Sequence, residues 1–232
     1  MKRIKTLTIL FSLVFLSALT FAQDEDVPKY IFGSDNDYKF SGFGGPYVTF
    51  SSVDNTFAVL NGGGGAFLIN QTIYIGVYGE GLSTAHYRSL DIYSPGEDKN
   101  INYDHYRMSF GHGGFWLGYI HNYKKPVHWG VSTKIGWGSA SLIDDYYYDH
   151  YEEYNNFVTD NAFVMCPQVE VEVNLFKWMK VNGAVGYRVV TGLNETYAYK
   201  GGDDIEYKNY FENNEFAAPY GVITFVFGWF YQ

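Results

Sequence analysis

Apolar and polar side chains alternate with a period of two through most of the chain after about residue 42. This is the pattern of a β-strand with one apolar face. The run from Val169 to Asn174, Val-Glu-Val-Glu-Val-Asn, is the clearest example. Glycine, asparagine, aspartate and proline separate such runs, as expected for turns. The pattern predicts eight strands, near residues 42–52, 57–69, 72–84, 105–121, 128–142, 161–175, 177–193 and 217–231.

The connections between these strands are short at one end and mostly long at the other, which is typical of an outer-membrane barrel. We therefore predict an all-β fold, an eight-stranded antiparallel up-and-down transmembrane β-barrel. An even number of strands places both chain ends on the periplasmic side. The short connections lie near 54–55, 70–71, 122–127 and 176, and the long ones at 85–104, 143–160 and 194–216.

Two strands carry apolar residues at both parities, so their inward and outward faces are ambiguous. In 57–69 the mixed pattern surrounds Gly62 to Gly65, and in 105–121 Phe115 competes with its neighbour Trp116. A β-bulge would resolve either strand. The four glycines do not indicate a phosphate-binding loop, because no helix pattern follows them. Relief of crowding inside a small barrel explains them better.

In each of the remaining strands the alternate residues of one face are apolar, and we expect that face to contact lipid. Amphipathic aromatic rings are expected in two belts at the membrane interfaces. The belt residues are Trp129, Trp137, Trp178, Tyr187, Trp229 and Tyr231, with Trp129, Trp178 and Trp229 on the periplasmic side. The lipid-facing set is Ile73, Ile75, Val77, Val131, Ile135, Val169, Val171, Val173, Val181, Val185, Ile223, Phe225 and Phe227.

A secreted soluble barrel of lipocalin type is the alternative fold, because alternation does not say which face is outside. The composition of the polar face favours the membrane barrel. It is mostly glycine, serine, asparagine and tyrosine, with few charges of balanced sign, which suits a narrow lumen better than a solvated exterior. We expect a salt-bridge network there that plugs the bore, formed by Glu80, Lys134, Glu170, Glu172, Lys180 and Arg188.

Composition excludes several other classes. Aromatic residues make up 20% of the chain, which excludes disorder, and the net charge of -9 excludes a basic nucleic-acid-binding protein. After the N-terminal segment, no apolar run reaches the length of a membrane helix. The single cysteine, Cys166, speaks against a disulfide framework and against a Cys-based zinc site. Its parity places it in the lumen, where we assign it no redox role.

The N-terminal segment has the features of a secretory signal peptide. Residues 1–22 combine Lys2, Arg3 and Lys5 with an apolar run, and small residues precede Gln23. The predicted organisation is a signal peptide at 1–22, an acidic extension at 23–40 and the barrel at 41–232. The expected location is the outer membrane, after cleavage near Ala22-Gln23.

Two stretches carry a resemblance to known proteins. Residues 42–82 include Gly44-Gly45-Pro46, Phe57-Ala58-Val59-Leu60, the four glycines and Ile69-Asn70 before a turn. This stretch resembles the opening of small, Gly-rich outer-membrane β-barrel proteins of Gram-negative bacteria, of the OmpA/OmpX eight-stranded type. The aromatic-rich end, 219–231, resembles the closing strand that such proteins present to the barrel assembly machinery. The resemblance implies a fold and a membrane, but no activity.

One constellation could carry catalysis. Some outer-membrane barrels are lipid-modifying hydrolases or acyltransferases with a histidine and a serine near the outer leaflet. His105 and Ser109 share a parity at the outer end of the fourth predicted strand, and Glu80 could orient them. The alternative functions are therefore a lipid-modifying enzyme or a narrow pore, although an eight-stranded interior is filled by side chains. The main interpretation is a non-enzymatic protein with a structural or a binding and adhesion role.

The loop at 143–160 is rich in acids and tyrosines and contains no lysine or arginine. Tyrosine provides binding area at low entropic cost, and carboxylates attract divalent cations, which would also bridge to lipopolysaccharide phosphates. The expected partners are outer-membrane lipid and lipopolysaccharide, with no nucleic acid, no cofactor and a monomeric state. The nature of any metal stays open. The candidate binding residues are Asp144, Asp145, Tyr146, Tyr147, Tyr148, Asp149, Tyr151, Glu152 and Glu153.

Overall fold

The computed structural model describes residues 38–144 and 156–230. In these ranges no helix is long and apolar enough to cross a membrane. The predicted signal peptide and most of the acidic extension lie outside the described residues. The elements are β1 (Phe40–Val53), β2 (Thr56–Ile69), β3 (Ile73–Leu82), β4 (His86–Ser94), β5 (Lys99–His121), β6 (Val127–Asp144), β7 (Asn156–Phe176), β8 (Met179–Thr191), β9 (Thr196–Gly201), β10 (Asp204–Asn209), α1 (Asn213–Phe216) and β11 (Ala218–Gly228).

Eight of the strands form a closed antiparallel ring. Their order around the ring is β1, β2, β3, β5, β6, β7, β8 and β11, and the pairing of β1 with β11 closes it. Closure leaves no unpaired edge in the barrel wall, as a membrane barrel requires. The predicted eight-stranded up-and-down barrel is confirmed.

The turns at the ends of the ring use residues that tolerate positive φ. Asp54 and Asn55 have φ values of 49° and 58°, and Asn70 and Gln71 have 53° and 56°. Two consecutive central residues with positive φ match the right-handed twist of a two-residue hairpin. These short connections therefore fix the strand register locally.

Two of the predicted long loops contain strands, so those loop assignments are wrong. Segment 85–104 holds β4 and the first residues of β5, and β4 pairs with β5 above the part of β5 that pairs with β3. Segment 194–216 holds the β9–β10 hairpin and α1. At 143–160, β6 extends to residue 144 and β7 begins at 156, and the residues between lie outside the described ranges. A membrane strand needs about 10 residues, so the 23-residue β5 extends well beyond the bilayer.

The exterior of the ring is apolar. Every member of the predicted lipid-facing set has the outward parity, and ten of the thirteen are exposed, up to 67% for Val185. The other three, Ile135, Val173 and Val181, are half-buried by their neighbours. Apolar side chains that face outward all around a closed barrel are suited to lipid and unsuited to water. The soluble-barrel alternative is therefore excluded.

Exposed aromatic rings lie near both edges of this apolar surface. Trp178 stacks on Phe227 with ring centroids 6.1 Å apart, close to the periplasmic turn that joins β7 and β8. Trp137 packs edge-on against Phe163 and lies eight residues further along β6 than Trp129. That offset corresponds to roughly 20 Å along the barrel axis, close to the height of an apolar membrane band. Tyr231 lies outside the described residues.

No bulge inside the ring explains the mixed faces of the two ambiguous strands. The irregularity of β5 lies outside the ring, where its register with β4 shifts between Arg88 and Leu90. The register of β2 with β1 and β3, and of β5 with β3 and β6, is unbroken.

Both parities carry apolar residues because the lumen itself holds aromatic side chains opposite glycines. A Cβ on Gly118 would overlap Cζ of Tyr74, so the ring occupies the space that this glycine leaves. Two of the four consecutive glycines do the same, because a Cβ on Gly62 would lie 2.7 Å from Cε2 of Tyr47 and one on Gly64 would lie 3.2 Å from Cε3 of Trp116. For these two glycines, the expectation that they relieve crowding inside the barrel is confirmed.

Candidate functional site

The polar site of the barrel is its lumen, where all six charged residues predicted for the network are buried. The inward parity of β3, β6, β7 and β8 points them away from lipid. The structure arranges them in two carboxylate-centred groups and one separate arginine, rather than in one continuous network.

The lower group lies nearer the periplasmic end and is centred on Glu172. Its Oε1 accepts hydrogen bonds from Lys180 Nζ at 2.6 Å and lies 2.9 Å from His128 Nε2. The β7–β8 hairpin brings Glu172 and Lys180 together diagonally, because Glu172 pairs with Asn182. The second nitrogen of His128 lies 3.1 Å from the carbonyl oxygen of Lys125, so the ring is held at both ends.

Glu170 is held by neutral donors. The hydroxyl of Tyr74 donates to it at 3.0 Å, and the side-chain amides of Asn182 and Gln168 donate at 3.1 and 3.3 Å. Three donors compensate the carboxylate for its lost hydration. Within the described residues Glu170 makes no ion pair, which departs from the predicted pairing with a lysine or arginine.

The upper group is centred on Glu80. Thr49 donates to its Oε2 at 2.9 Å, Lys134 Nζ lies 3.8 Å from the same oxygen, and His112 Nε2 lies 3.1 Å from Oε1. Lys134 also lies over the Tyr47 ring, with its ammonium nitrogen 3.7 Å from the ring centroid. A cation–π contact in a dry site adds to the stabilisation of the buried ammonium.

Trp116 lies between the two groups. Its ring contacts Tyr74 of the lower group and Tyr47 of the upper group edge-on, at centroid distances of 5.6 and 6.3 Å. This aromatic layer therefore links the lower group to the upper group inside the bore.

Arg188 is separate from both carboxylate groups, so its predicted place in the network is wrong. Its Nε donates to the carbonyl oxygen of Phe216 at 2.7 Å, and its Nη2 donates to that of Ser52 at 3.0 Å. The guanidinium carbon also lies 5.4 Å from the centre of the Phe110 ring. Backbone carbonyls and a ring face therefore replace the expected carboxylate.

The carbonyl of Phe216 belongs to a short segment, residues 210–217, that closes the extracellular mouth. We call this segment the plug. Phe211 and Phe216 are fully buried, and Phe216 stacks on Phe110 of the wall at 4.6 Å. Arg88 of β4 binds the plug from above, with Nη1 donating to the carbonyl of Tyr210 at 2.6 Å and Nη2 lying 2.8 Å from Glu215.

The three candidate catalytic residues do not converge, so the proposed catalytic constellation is wrong. His105 has a side chain that is 83% exposed and a φ of 62°, and the carboxylate nearest to it is that of Asp104 at 3.9 Å. Ser109 has the outward parity, opposite to buried Met108. Glu80 points into the lumen instead. The positive φ at His105 breaks the regular alternation on which the prediction depended.

The extracellular hairpins hold each other. Lys200 of β9 binds Asp98 of the β4–β5 turn, with Nζ 2.7 Å from Oδ1. The backbone N–H of Lys200 also donates a hydrogen bond to Oδ1 of Asn100 at 2.8 Å, and Nδ2 of Asn100 donates one to the carbonyl oxygen of Lys200 at 3.0 Å. The hydrogen bonds from Lys200 and from Tyr93 lower the pKa of Asp98. Of the predicted acidic binding loop, Asp144 ends β6 and the other eight residues lie outside the described ranges.

Among the residues that the structure describes, one group of side chains could hold a metal ion. Donor atoms of Glu80, His112 and Cys166 lie within 4.8 Å of one another, and all three residues are buried. Sequence reasoning placed Cys166 in the lumen but missed both lumen histidines, His112 and His128. Both histidines occupy inward-facing positions of their strands, and each pairs with a glutamate on a neighbouring strand. That combination is the signal that could have identified them.

The periplasmic end of the barrel holds an open cavity of about 700 Å³. Lys124, Lys177 and Lys180 line it together with Phe230 and Tyr123. Because Lys180 belongs to the Glu172 group, the cavity borders the lower end of that group.

No protein-family model and no curated protein matches the chain. Among solved structures, it is similar to Neisserial surface protein A at 9% identity and a TM-score of 0.47, over 84% of this chain and 100% of that one. Ail of Yersinia pestis, in complex with the heparin analogue sucrose octasulfate, has 8% identity and a TM-score of 0.40, covering 81% and 97%. OprH from P. aeruginosa, in micelles, has 11% identity and a TM-score of 0.40, covering 82% and 99%. These neighbours are small outer-membrane β-barrel proteins.

Proposed function

We propose that the protein is an integral outer-membrane barrel with a closed lumen, which holds a rigid extracellular surface for binding. The observation that carries the proposal is the opposite character of the two faces of one closed sheet. The exterior is apolar and exposed, and the interior is polar and buried. Every transmembrane barrel needs the apolar exterior, whereas the side chains that occupy the bore favour an anchor over a channel.

The apolar exterior supports the location in a membrane. The exposed valines, isoleucines and phenylalanines form a belt that would aggregate in water. In a bilayer the same belt is favourable, and closure of the ring satisfies the backbone hydrogen bonds. The periplasmic turns are short, and the strands extend past the bilayer only at the other end, which fits an outer-membrane orientation.

The filled lumen supports an anchoring role over a pore. An ion on the axis would have to pass the Glu172 group, the Trp116 layer, the Glu80 group and finally the plug. Displacing any of these breaks ion pairs or hydrogen bonds in a low-dielectric interior. The plug is also attached at both faces, by Arg188 from below and by Arg88 from above.

The extracellular hairpins support a binding role. Asp98, Asn100 and Lys200 hold the β9–β10 hairpin against β4 and β5, so the surface is preorganised and loses little entropy on binding. Tyr207 is 76% exposed on β10 and Ile205 is 49% exposed. Acidic residues surround them at 203, 204 and 206. We infer lipopolysaccharide, bridged by divalent cations, as the partner, because its phosphates and these carboxylates share such ions.

Conductance measurements test the closed lumen. The purified protein is reconstituted into planar bilayers, with its heat-modifiable gel shift as proof of folding. We expect no stepwise conductance above about 0.1 nS, because a bore blocked at several levels passes no hydrated ions. A variant with Trp116, Lys134 and Arg188 all changed to Ala is the control, and its lumen should leak. Wild-type steps in the nanosiemens range would contradict the proposal.

Lipopolysaccharide binding tests the surface. The segment 197–208 is replaced by a short Gly-Ser linker, and binding of lipopolysaccharide micelles is compared with and without Mg²⁺. We expect the wild type to bind only with Mg²⁺ and the hairpin variant to bind at least 10-fold more weakly with its barrel still folded. The matched control is Lys39→Ser, at the periplasmic end. Equal binding by both variants would refute the extracellular surface as the binding site.

A further inference from the structure

We propose that Glu80, His112 and Cys166 form a buried binding site in the lumen for a transition-metal ion of the Zn²⁺ class. One oxygen, one nitrogen and one sulfur donor meet there, and they come from three different strands of a rigid barrel, β3, β5 and β7. The inference is independent of the binding role proposed for the extracellular surface.

The three donors are already close to one another. His112 Nε2 lies 3.1 Å from Glu80 Oε1, and the whole set, including Cys166 Sγ, lies within 4.8 Å. Two ligands of a tetrahedral zinc ion are about 3.3–3.8 Å apart when the bonds are near 2.0 Å to nitrogen or oxygen and 2.3 Å to sulfur. Small rotations of side chains therefore convert the observed group into a coordination shell.

The unusual state of His112 is the observation that points to a ligand. Its side chain is fully buried, and its Nε2 makes no hydrogen bond of acceptable geometry, although Glu80 is close. His128 offers a comparison inside the same lumen, because both of its nitrogens have hydrogen-bond partners. Buried polar atoms are normally satisfied, so a nitrogen directed at a carboxylate and a thiol without a bond requires an explanation.

Second contacts hold the ligands in position. The Nδ1 of His112 lies 3.0 Å from the hydroxyl of Tyr78. This hydroxyl can accept a hydrogen bond from a protonated Nδ1, which leaves the lone pair of Nε2 free for a metal ion. Thr49 donates to Oε2 of Glu80 and leaves Oε1 for the ion. Outer contacts of this kind orient metal ligands and set the histidine tautomer.

The donor set decides the class of ion. A thiolate with an imidazole and a single carboxylate oxygen selects borderline ions such as Zn²⁺ or Co²⁺, whereas Mg²⁺ and Ca²⁺ require mostly oxygen. On binding, the Cys166 thiol releases its proton to solvent as the metal–sulfur bond forms. The thiolate and the carboxylate then neutralise the dication, and Lys134 keeps its place over the Tyr47 ring. One cysteine is enough for a zinc site when histidine and glutamate supply the other ligands. The number of cysteines in the sequence therefore does not by itself exclude zinc.

The test uses Co²⁺ as a spectroscopic probe. The mature chain, without a polyhistidine tag, is refolded in detergent with one equivalent of Co²⁺, because a site this buried fills as the barrel closes. We expect the near-ultraviolet thiolate-to-cobalt band, visible bands of tetrahedral intensity and one ion per chain by elemental analysis. Zn²⁺ should displace the colour, and Mg²⁺ should not.

Three variants assign the ligands. Cys166→Ser should abolish the thiolate band, and His112→Gln should weaken binding at least 10-fold. His128→Gln is the matched control, since it removes another buried lumen histidine and should bind Co²⁺ like the wild type. The gel shift of each folded barrel is recorded in parallel. Unchanged cobalt spectra in Cys166→Ser and His112→Gln would overturn the proposal.

A measurement on the wild type decides the case if a variant fails to fold. X-ray absorption of the Zn²⁺-loaded protein should show one sulfur at about 2.3 Å and nitrogen or oxygen at about 2.0 Å. Binding of less than a tenth of an equivalent, or a zinc shell without sulfur, would refute the site.

Discussion

Removal of the Glu172 charge should destabilise the barrel more than any change at an exposed ion pair. The carboxylate of Glu172 accepts a hydrogen bond from Lys180 at 2.6 Å and lies 2.9 Å from Nε2 of His128. The side chains of Glu172 and Lys180 are only 10% and 5% exposed. The substitution Glu172→Gln keeps the shape and removes the charge. Lys180 then loses its only carboxylate partner among the described residues.

The expected magnitude follows from burial and from the cavity below. Breaking a fully buried ion pair costs about 3–5 kcal/mol because one charge remains uncompensated. Lys180 borders the periplasmic cavity, where water can approach its ammonium group, so we expect about 2–3 kcal/mol for Glu172→Gln. Lys180→Met should cost less, about 1–2 kcal/mol, because His128 still faces the carboxylate.

A double-mutant cycle separates the pair from its surroundings. The two substitutions combined should cost less than the sum of the single changes, with a coupling energy of about 1–2 kcal/mol. The assay is urea unfolding of the vesicle-inserted barrel, followed by tryptophan fluorescence. Lys99→Met is the control, because the pair of Lys99 and Glu97 is more than half exposed and should contribute less than about 1 kcal/mol. Strict additivity, or an effect of Glu172→Gln no larger than the control, would refute the reasoning.

Three further predictions concern the exterior, the packing of the lumen and the extracellular surface. Val171→Arg should cost about 1–2 kcal/mol in vesicle unfolding, because the exposed residue pairs with Trp129 and lies between the periplasmic interface and the bilayer midplane. Gly118→Ala should cost about 1–3 kcal/mol, because the new methyl group overlaps the ring of Tyr74. Lowering the pH should open the hairpin contact, since the folded pKa of Asp98 is below its usual value. The Asp98–Lys200 contact contributes fully to stability above the ordinary aspartate pKa, and this contribution is lost as the pH falls through the lowered pKa of Asp98. The chemical shifts of Lys200 report the change.

Each of these predictions has a contradicting result. Val171→Leu is the control for the exterior, and an arginine that is tolerated as well as leucine would place this face in water. For the lumen, a Gly118→Ala protein of unchanged stability would mean that the Tyr74 ring does not occupy the glycine gap. For the surface, Asp98→Asn should remove the pH dependence, and a transition that persists in it would assign the effect to another group.

The sequence predicts the barrel because alternation is a local property. Strand parity assigned Val171 to the exterior and Glu172 to the lumen, and the short β7–β8 turn identified Lys180 as a neighbour. The same reasoning failed for Arg188, whose partners are backbone carbonyls of the plug. Backbone groups have no side-chain signature, and their position depends on how a distant segment folds over the mouth.

Contacts that cross several strands were also beyond the sequence. The pairing of Glu80 with His112 requires the β3–β5 register, and β4 intervenes between these strands in the chain. Cys166 reaches the same site from β7, so its proximity depends on the registers of β5 with β6 and of β6 with β7. A shift of one residue at any interface would exchange the inward and outward faces. Only the closed barrel fixes all of these registers together.

The most direct test of the central claim is a spin-label scan along β7 in a Cys166→Ser background. Single cysteines at 168–173 are labelled with a nitroxide in the reconstituted protein, and collision rates with oxygen and with a water-soluble nickel reagent are measured. We expect high oxygen and low nickel accessibility at Val169, Val171 and Val173, alternating with low accessibility to both reagents at Gln168, Glu170 and Glu172. High nickel accessibility at the three valines would contradict the membrane barrel.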